Sequence, residues 1–125
     1  MDDRLRKEAG VAAEDFALEY LRAAGLKLVA RNYACRGGEL DLVMVDGSTL
    51  VLVEVRYRSR DDFGGAAASI TWAKQRRIAH AARHLLMMRT DLRRHRARFD
   101  VIAVTGGAGR APQIEWIKAA FALHR

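Results

Sequence analysis

The chain has 125 residues, of which 50% are hydrophobic, and its 22 Lys and Arg outnumber its 15 Asp and Glu to give a net charge of +7. This length, with one proline and no long linker-like stretch, predicts a single domain over 1–125. No apolar run approaches the roughly 20 residues that span a bilayer, and the N-terminus lacks a secretory h-region. The single cysteine cannot form an internal disulfide. We therefore expect a cytoplasmic protein without a membrane partner.

The first predicted element is a helix from Asp3 to Ala24, which Gly25 ends. Its predicted buried stripe is Ala13, Ala17, Tyr20, Leu21 and Ala24. Glu14 lies at the margin of that stripe, so its carboxylate either forms a surface ion pair or reaches inward. A first strand is predicted to follow over 26–33.

The next two predicted strands, 38–45 and 50–57, carry acids within otherwise apolar runs. Period-2 alternation places Glu39 and Asp41 on one face of the first strand and Glu54 with Arg56 on one face of the second. An unpaired buried carboxylate is costly, so such groups are normally paired, protonated or bound to a metal. The hairpin is therefore the strongest candidate for a functional site.

Two hairpin registers are compatible with this pattern. A two-residue loop at Asp46-Gly47 pairs Glu39 with Glu54, whereas a four-residue loop over 46–49 pairs Asp41 with Glu54. Either register leaves Asp41 and Glu54 adjacent or diagonal, within reach of one shared cation.

The chemistry of the two carboxylates favours a divalent cation. Mg²⁺ is commonly held by one or two carboxylates, with water and substrate phosphate completing its shell. His and Cys are absent from the hairpin, which argues against zinc. We expect Asp41 and Glu54 to bind Mg²⁺ or Mn²⁺, with Glu39 as a secondary ligand candidate. The alternative is an ion-pair ladder of Glu39 and Glu54 with Arg56 and Arg58 on a solvent-exposed sheet face.

The second half of the chain predicts a crossover helix and more strands. A loop over 60–68 leads to Ser69, a candidate cap, and to a helix ending near Thr90. Phe63 and Trp72 are interpreted as packing groups rather than base-stacking residues. Further predicted elements are a strand over 99–104, a loop over 106–109, an edge strand over 113–117 and a final helix over 118–124. This order predicts an α/β sandwich with a mixed central sheet.

Lys74 is in helical register with the predicted buried positions of the crossover helix, so we expect it to point toward the sheet. Those positions are Ile70, Ile78, Ala81, Leu85 and Met88. Lys74 is then either a second cation that fills the place of the catalytic lysine missing at Arg56 or a snorkelling lysine at the edge of the stripe. Gln75 is either a solvated side chain or a group that orients phosphate or water.

The excess of positive charge favours a polyanionic partner, and we expect nucleic acid, specifically DNA. Arg76 and Arg77 lie on the crossover helix, where phosphate neutralisation would give a salt-dependent, sequence-tolerant affinity. The basic positions do not face a large apolar surface of the kind that binds membranes.

Several sequence motifs together resemble the bacterial YraN-like (UPF0102) family. They are Gly37-Gly38-Glu39-Leu40-Asp41-Leu42, Val53-Glu54-Val55-Arg56-Tyr57-Arg58-Ser59, Ser69-Ile70-Thr71 with Lys74-Gln75-Arg76, and Arg98-Phe99-Asp100-Val101. The Asp41 and Glu54-x-Arg56 spacing is also similar to the acid, acid-x-lysine signature of restriction-endonuclease-like nucleases. The resemblance implies a restriction-endonuclease-like three-layer α/β/α sandwich related to Holliday-junction resolvases, and a water-mediated metal contact for Glu14.

The resulting hypothesis is a metal-dependent endonuclease that hydrolyses phosphodiesters in DNA, including branched DNA. Asp41 and Glu54 hold the metal and Arg56 contacts the reacting phosphate, since a guanidinium cannot act as a base. Nucleic-acid contacts are assigned to Arg58, Lys74, Gln75, Arg76 and Arg77. The alternatives are a catalytically inactive nucleic-acid-binding module of the same fold, acting as a homodimer on branched structures, and a protein-interaction scaffold with a structural acidic pocket.

Overall fold

The computed structural model describes residues 3–59, 70–107 and 110–122. The elements in these ranges are α1 (Asp3–Ala23), β1 (Lys27–Cys35), β2 (Gly38–Asp46), β3 (Thr49–Ser59), α2 (Trp72–Met88), a 3-10 helix (Thr90–Arg94), β4 (Arg96–Gly107) and β5 (Arg110–Phe121). The predicted loop over 60–68, with Phe63, lies outside the described residues. None of the described helices combines the length and apolar character needed to cross a bilayer.

The five strands form one mixed sheet in the order β1-β2-β3-β4-β5. Strand β3 pairs parallel with β4, because α2 carries the chain back between them, and the other neighbours pair antiparallel. The predicted α/β class with a mixed central sheet is confirmed.

Each face of the sheet is covered by one helix. On one face, α2 buries Ile78, Ala81, Ala82 and Leu85 against Leu40, Val43, Leu50, Leu52, Phe99, Val101 and Ala103. On the other face, α1 buries Ala13, Ala17, Leu18 and Leu21 against Leu42, Met44, Val51, Val53, Ile102 and Val104. The predicted three-layer α/β/α sandwich is therefore confirmed.

Helix α1 ends where the sequence predicts, because Gly25 adopts a left-handed backbone with φ +99°. The predicted buried stripe needs correction at two positions. Tyr20 and Ala24 are exposed, and Leu18 is buried instead. Tyr20 stands at the side of the helix, where its ring meets the edge of Trp116 at 6.2 Å between centroids.

Helix α2 begins after Thr71, whose hydroxyl accepts a hydrogen bond from the Lys74 backbone N–H at 3.1 Å. The predicted cap, Ser69, lies outside the described residues. The predicted helix end near Thr90 agrees with the observed end at Met88, although Met88 is exposed rather than buried.

The predicted C-terminal helix is wrong, because β5 continues to Phe121. The buried Asp100 carboxylate accepts hydrogen bonds from the Trp116 indole at 2.9 Å and from the Ala119 backbone at 3.0 Å. Phe121 stacks on Phe99 with a centroid distance of 5.0 Å. These contacts with β4 outweigh the local helix propensity of an alanine-rich segment too short to be stable as an isolated helix.

Candidate metal-binding and catalytic site

The β2–β3 hairpin places Asp41 level with Glu54. Asp46 pairs with Thr49, and the ladder continues to the pair Leu42 and Val53, so one further step brings the two acids opposite each other. The observed register is therefore the one predicted for a loop over 46–49. The loop itself is shorter, because only Gly47 and Ser48 lie beyond the last pair, with Gly47 at φ +60°.

The side-chain alternation of β2 changes at Asp41. Leu40 packs in the core under α2, whereas Leu42 packs in the core under α1, although residues two apart in a regular strand share a face. On the neighbouring strand, Asn32 lies level with Asp41 and has a left-handed backbone with φ +53°. This irregularity explains why regular alternation does not predict the surroundings of Asp41.

The Asp41 side chain makes a hydrogen bond to β3 at the point where the regular backbone ladder between β2 and β3 ends. Its Oδ2 accepts a hydrogen bond from the Val55 backbone N–H at 2.9 Å, beyond the last regular pair of β2 and β3. The carboxylate is therefore held between the two strands, and Asp41 is only 7% exposed. A rigidly held, buried carboxylate is well suited to bind a ligand in a fixed geometry.

The carboxyl groups of Asp41 and Glu54 lie within hydrogen-bonding reach of each other. Burial and the charge of Glu54 raise the pKa of Asp41 to about 7, although the Val55 N–H and the Lys74 ammonium oppose that rise. Two such carboxyl groups share either a proton or a cation.

Lys74 completes the pair from the first turn of α2. Its Nζ lies 3.2 Å from Oε1 of Glu54, and the Glu54 side chain is 5% exposed. The prediction that Lys74 points toward the sheet is confirmed. Its neighbour Gln75 donates its side-chain amide to the Ile70 carbonyl at 3.2 Å and so braces the start of the helix.

Glu14 approaches the same site from α1. Its Oε1 lies 3.3 Å from Nε of Arg31, and Nη2 of Arg31 is 2.7 Å from Oδ1 of Asp15. Burial, followed by the charge of Asp41, raises the pKa of Glu14, while Arg31 and a hydrogen bond from Asn32 oppose that rise. The ion pair expected for Glu14 is thus present. The charge of Asp41 also acts on the Glu14 carboxylate.

The remaining predicted site residues on β2 and β3 differ in their exposure. Arg56, two residues beyond Glu54 on β3, is half-buried, as is Arg58, whereas Glu39 is exposed near the start of β2. Across the described ranges, no three His, Cys, Asp or Glu side chains form a group that could hold a metal ion. Asp41 and Glu54 are consequently a two-carboxylate site, and Glu39 and Glu14 do not extend it to three direct ligands.

The outer face of α2 is basic. Helix α2 contains four Lys or Arg and no Asp or Glu, and Arg76 and Arg77 are exposed. The turn between β1 and β2 docks against this helix: His80 Nε2 lies 2.9 Å from the Arg36 carbonyl, and a Cβ at Gly38 would collide with the Arg77 carbonyl. The β2 segment leading to Asp41 is therefore fixed to the helix that carries Lys74.

Sequence reasoning missed Asn32 and Arg31 as parts of this site. Asn32 supplies the left-handed backbone opposite Asp41, and Arg31 connects β1 to Glu14 and Asp15. The available signal was the asparagine itself, because Asn tolerates this conformation better than most residues. Nothing in the local pattern of β1 distinguishes that use of Asn32 from an ordinary turn.

The fold and site define an α/β/α sandwich protein with a buried pair of carboxylates on its central strands and a lysine from α2 beside them. The model of uncharacterised protein family UPF0102 matches residues 13–104, and the chain belongs to that family. A UPF0102 protein of Pseudomonas savastanoi pv. phaseolicola is 49% identical over 93% of this chain and 94% of its own length. One from Saccharophagus degradans is 49% identical over 94% of this chain and 95% of its own length. The resemblance to this family is confirmed.

Proposed function

We propose that this protein is a metal-dependent endonuclease that hydrolyses phosphodiester bonds in DNA. The observation that supports this function is the buried Asp41–Glu54 pair with Lys74 at its side. Perturbed carboxylates next to a specific charged partner are typical of functional sites. The basic outer face of α2 beside the pair supplies a surface for a polyanionic substrate.

The donor set fits Mg²⁺ or Mn²⁺, which Asp41 and Glu54 would hold. Two adjacent carboxylates of which one has a pKa of about 7 form a site where a divalent cation replaces a shared proton. A cation bound there would activate water and offset phosphate charge. Glu39 and Glu14 are candidates for contacts through water, consistent with the exposed position of the first and the inward-facing carboxylate of the second.

The cationic side chains have separate roles in this proposal. Arg56 holds the reacting phosphate bidentately and stabilises negative charge that develops on it. Lys74 orients the Glu54 carboxylate, since its Nζ lies 3.2 Å from Oε1 of Glu54. Glu54 orients the water that attacks phosphorus, the bond to the leaving sugar oxygen breaks, and that oxygen leaves as a hydroxyl after it gains the proton that the attacking water loses.

The substrate would cross the basic surface next to the pair. Arg76 and Arg77 on α2, and Arg58 beyond Arg56 on β3, are the proposed phosphate contacts. Such contacts position a backbone without reading its sequence, so we expect cleavage to depend on DNA structure and salt more than on sequence.

The direct test is a cleavage assay on linear, flapped and four-way DNA with Mg²⁺ or Mn²⁺. Asp41→Asn and Glu54→Gln should each reduce cleavage by more than the roughly 100-fold seen for residues that merely support a metal ligand. Asp91→Asn, which alters an exposed acid paired with Arg89, is the control and should cut normally. Cleavage that survives both site substitutions would refute the proposal.

A nucleic-acid-binding module without turnover is the second candidate. The observation in its favour is the Lys74 ammonium at 3.2 Å from Glu54, which already supplies a positive charge to the pair. That module would bind branched DNA, as a homodimer, with the same salt dependence. Salt-sensitive binding without metal-dependent cleavage in the assay above would select it.

A further inference from the structure

A second basic surface lies at the C-terminal end of α2, away from the acid pair. This distal surface consists of Arg83 on α2 and of Arg93 and Arg94 on the 3-10 helix, and all three side chains are exposed. Lys74 marks the position of the acid pair on the first turn of α2. Arg83 lies about 13 Å further along the helix, and the helix end at Met88 lies about 21 Å further, at 1.5 Å per residue. The distal surface is therefore separate from the proposed site.

The 3-10 helix is held firmly against α2. Its Leu92 is buried in the core that α2 covers. The next residue, Arg93, donates a hydrogen bond from its Nε to the Leu86 carbonyl at 2.8 Å, and a cation near the carbonyl end of a helix is favourable. The backbone of Arg93 and Arg94 consequently has a fixed position beside α2, as a preformed binding surface requires.

The positive charge of the distal surface is not balanced by neighbouring acids. None of its three arginines forms an ion pair with an acid of the described ranges. Asp91, the one acid between positions 76 and 94, accepts two hydrogen bonds from Arg89 at 3.0 and 2.9 Å. On α1, by contrast, Arg4 is paired with Glu8 one turn away. Unbalanced cations on a fixed surface favour a polyanionic ligand.

The chemistry of the distal surface fits the phosphate backbone of a duplex. Residues 76–94 contain six arginines but lack Phe, Tyr and Trp, the side chains on which exposed bases stack, so they suit phosphates rather than single strands. The exposed apolar side chains here, Met87 and Met88, do not form the broad Trp, Phe and Leu face with which helices bind membranes. A duplex, whose bases are covered by their neighbours, matches this surface better than a single strand or a lipid bilayer.

We propose that the distal surface binds a duplex arm that extends away from the acid pair, and that the substrate class is DNA with a continuous duplex on at least one side of the cleaved bond. This inference rests on the proposed function for the position of that bond. The distance of about 21 Å from Lys74 to Met88 corresponds to about 6 base pairs at 3.4 Å each. A shorter duplex could contact Arg76 and Arg77 or the distal surface, but not both at once.

The dependence of DNA binding on duplex length tests this proposal. The probes are hairpin duplexes of about 5 and about 18 base pairs with the same loop, one shorter and one longer than the span along α2. Fluorescence anisotropy in EDTA at several salt concentrations gives the affinity for each without cleavage. The slope of log affinity against log salt should be steeper for the long duplex, because it reaches more cations.

Substitution of the distal surface should remove this difference. Arg83→Glu with Arg94→Glu should reduce the slope for the long duplex by about 2, or about 1 for each lost phosphate contact, and make it nearly equal to the slope for the short duplex. Arg6→Glu with Lys7→Glu on α1 changes the net charge equally and should preserve the difference. A thermal melt of each variant verifies that it remains folded.

The outcomes separate this proposal from its competitors and from the proposed function. A length dependence that survives Arg83→Glu with Arg94→Glu, or tighter binding of a single strand with the same number of phosphates, would overturn the duplex arm. Binding to phosphatidylserine vesicles with no length dependence on DNA would indicate a membrane surface instead and would also overturn it. Because the binding assay contains no divalent metal, absence of cleavage in the earlier assay would refute the nuclease and leave the duplex arm intact.

Discussion

The two helices cover opposite faces of one sheet, but their charges differ. Helix α1 carries five acids and four bases, whereas α2 carries four bases and no acid. The α1 layer faces the site with Glu14, and the α2 layer faces it with Lys74. The sheet thus separates a mixed surface from a basic one, and we expect the polyanion to bind on the α2 side.

Asp41 lies at the boundary between these two layers. The alternation of β2 changes there, so Leu40 belongs to the α2 core and Leu42 to the α1 core. The carboxylate consequently interacts with Glu54 and Lys74 and also with Glu14. This comparison indicates that the break in the strand pattern gives one carboxylate access to charges from both faces.

The largest expected effect is on stability, through protonation of Asp41. Its pKa is raised from 3.8 to about 7, so the folded state retains a proton that the unfolded state loses. The stabilising contribution is present below 3.8 and is lost as pH rises to about 7. As pH rises over this range, the free energy of unfolding of Asp41→Asn should therefore fall less than that of the original protein, by up to a few kcal/mol.

Urea denaturation at a series of pH values measures this effect. Asp91→Asn is the control, since the pKa of Asp91 is lowered by its Arg89 partner and its titration lies below the relevant range. An unchanged pH dependence in Asp41→Asn would show that Asp41 does not hold a proton in the folded protein.

The next effect concerns DNA binding by the two layers. Arg76→Glu with Arg77→Glu should weaken DNA binding and reduce the slope of log affinity against log salt by about 2, or about 1 for each lost phosphate contact. Arg6→Glu with Lys7→Glu on α1 is a matched control, because both pairs are consecutive and exposed and both double substitutions change the net charge equally. Fluorescence anisotropy at several salt concentrations measures the DNA affinity of both double variants. Equal losses of affinity would refute preferred DNA binding on the α2 side.

The smallest effect is a pair of opposite changes in the pKa of Asp41. The Lys74 ammonium lowers that pKa, so Lys74→Met should raise it. Glu14 and Asp41 repel each other when both are charged, so Glu14→Gln should lower it. Carbon-detected NMR titration of the Asp41 carboxyl group follows both changes, and shifts of the same sign would contradict the placement of Asp41 between the layers.

Much of the fold was predictable because it follows local periodicity. The apolar runs around Asp41 and Glu54 predicted the hairpin, and Gly25 predicted the end of α1. Lys74 was predictable because its register with buried residues such as Ile78 fixes its direction. These predictions succeeded because sequence spacing determines which side chains share a face.

The parts that failed depend on contacts distant in the sequence. The strand that replaces the predicted final helix is held by Asp100 and Phe99 of β4, which local propensity does not report. Likewise, the changed alternation at Asp41 depends on its pairing with the irregular backbone at Asn32. The acid pair could be predicted, whereas the surroundings that raise the pKa of Asp41 could not.

The most direct test of the central claim is calorimetric titration with Mn²⁺, which measures binding without requiring catalysis. The wild-type protein should bind the ion, more tightly at about pH 8 than at about pH 6, because Asp41 must lose its proton first. Asp41→Asn and Glu54→Gln should each abolish that binding, while Asp91→Asn should preserve it. Mn²⁺ binding that is independent of pH and unaffected by both site substitutions would contradict the assignment of Asp41 and Glu54 as the metal-binding pair.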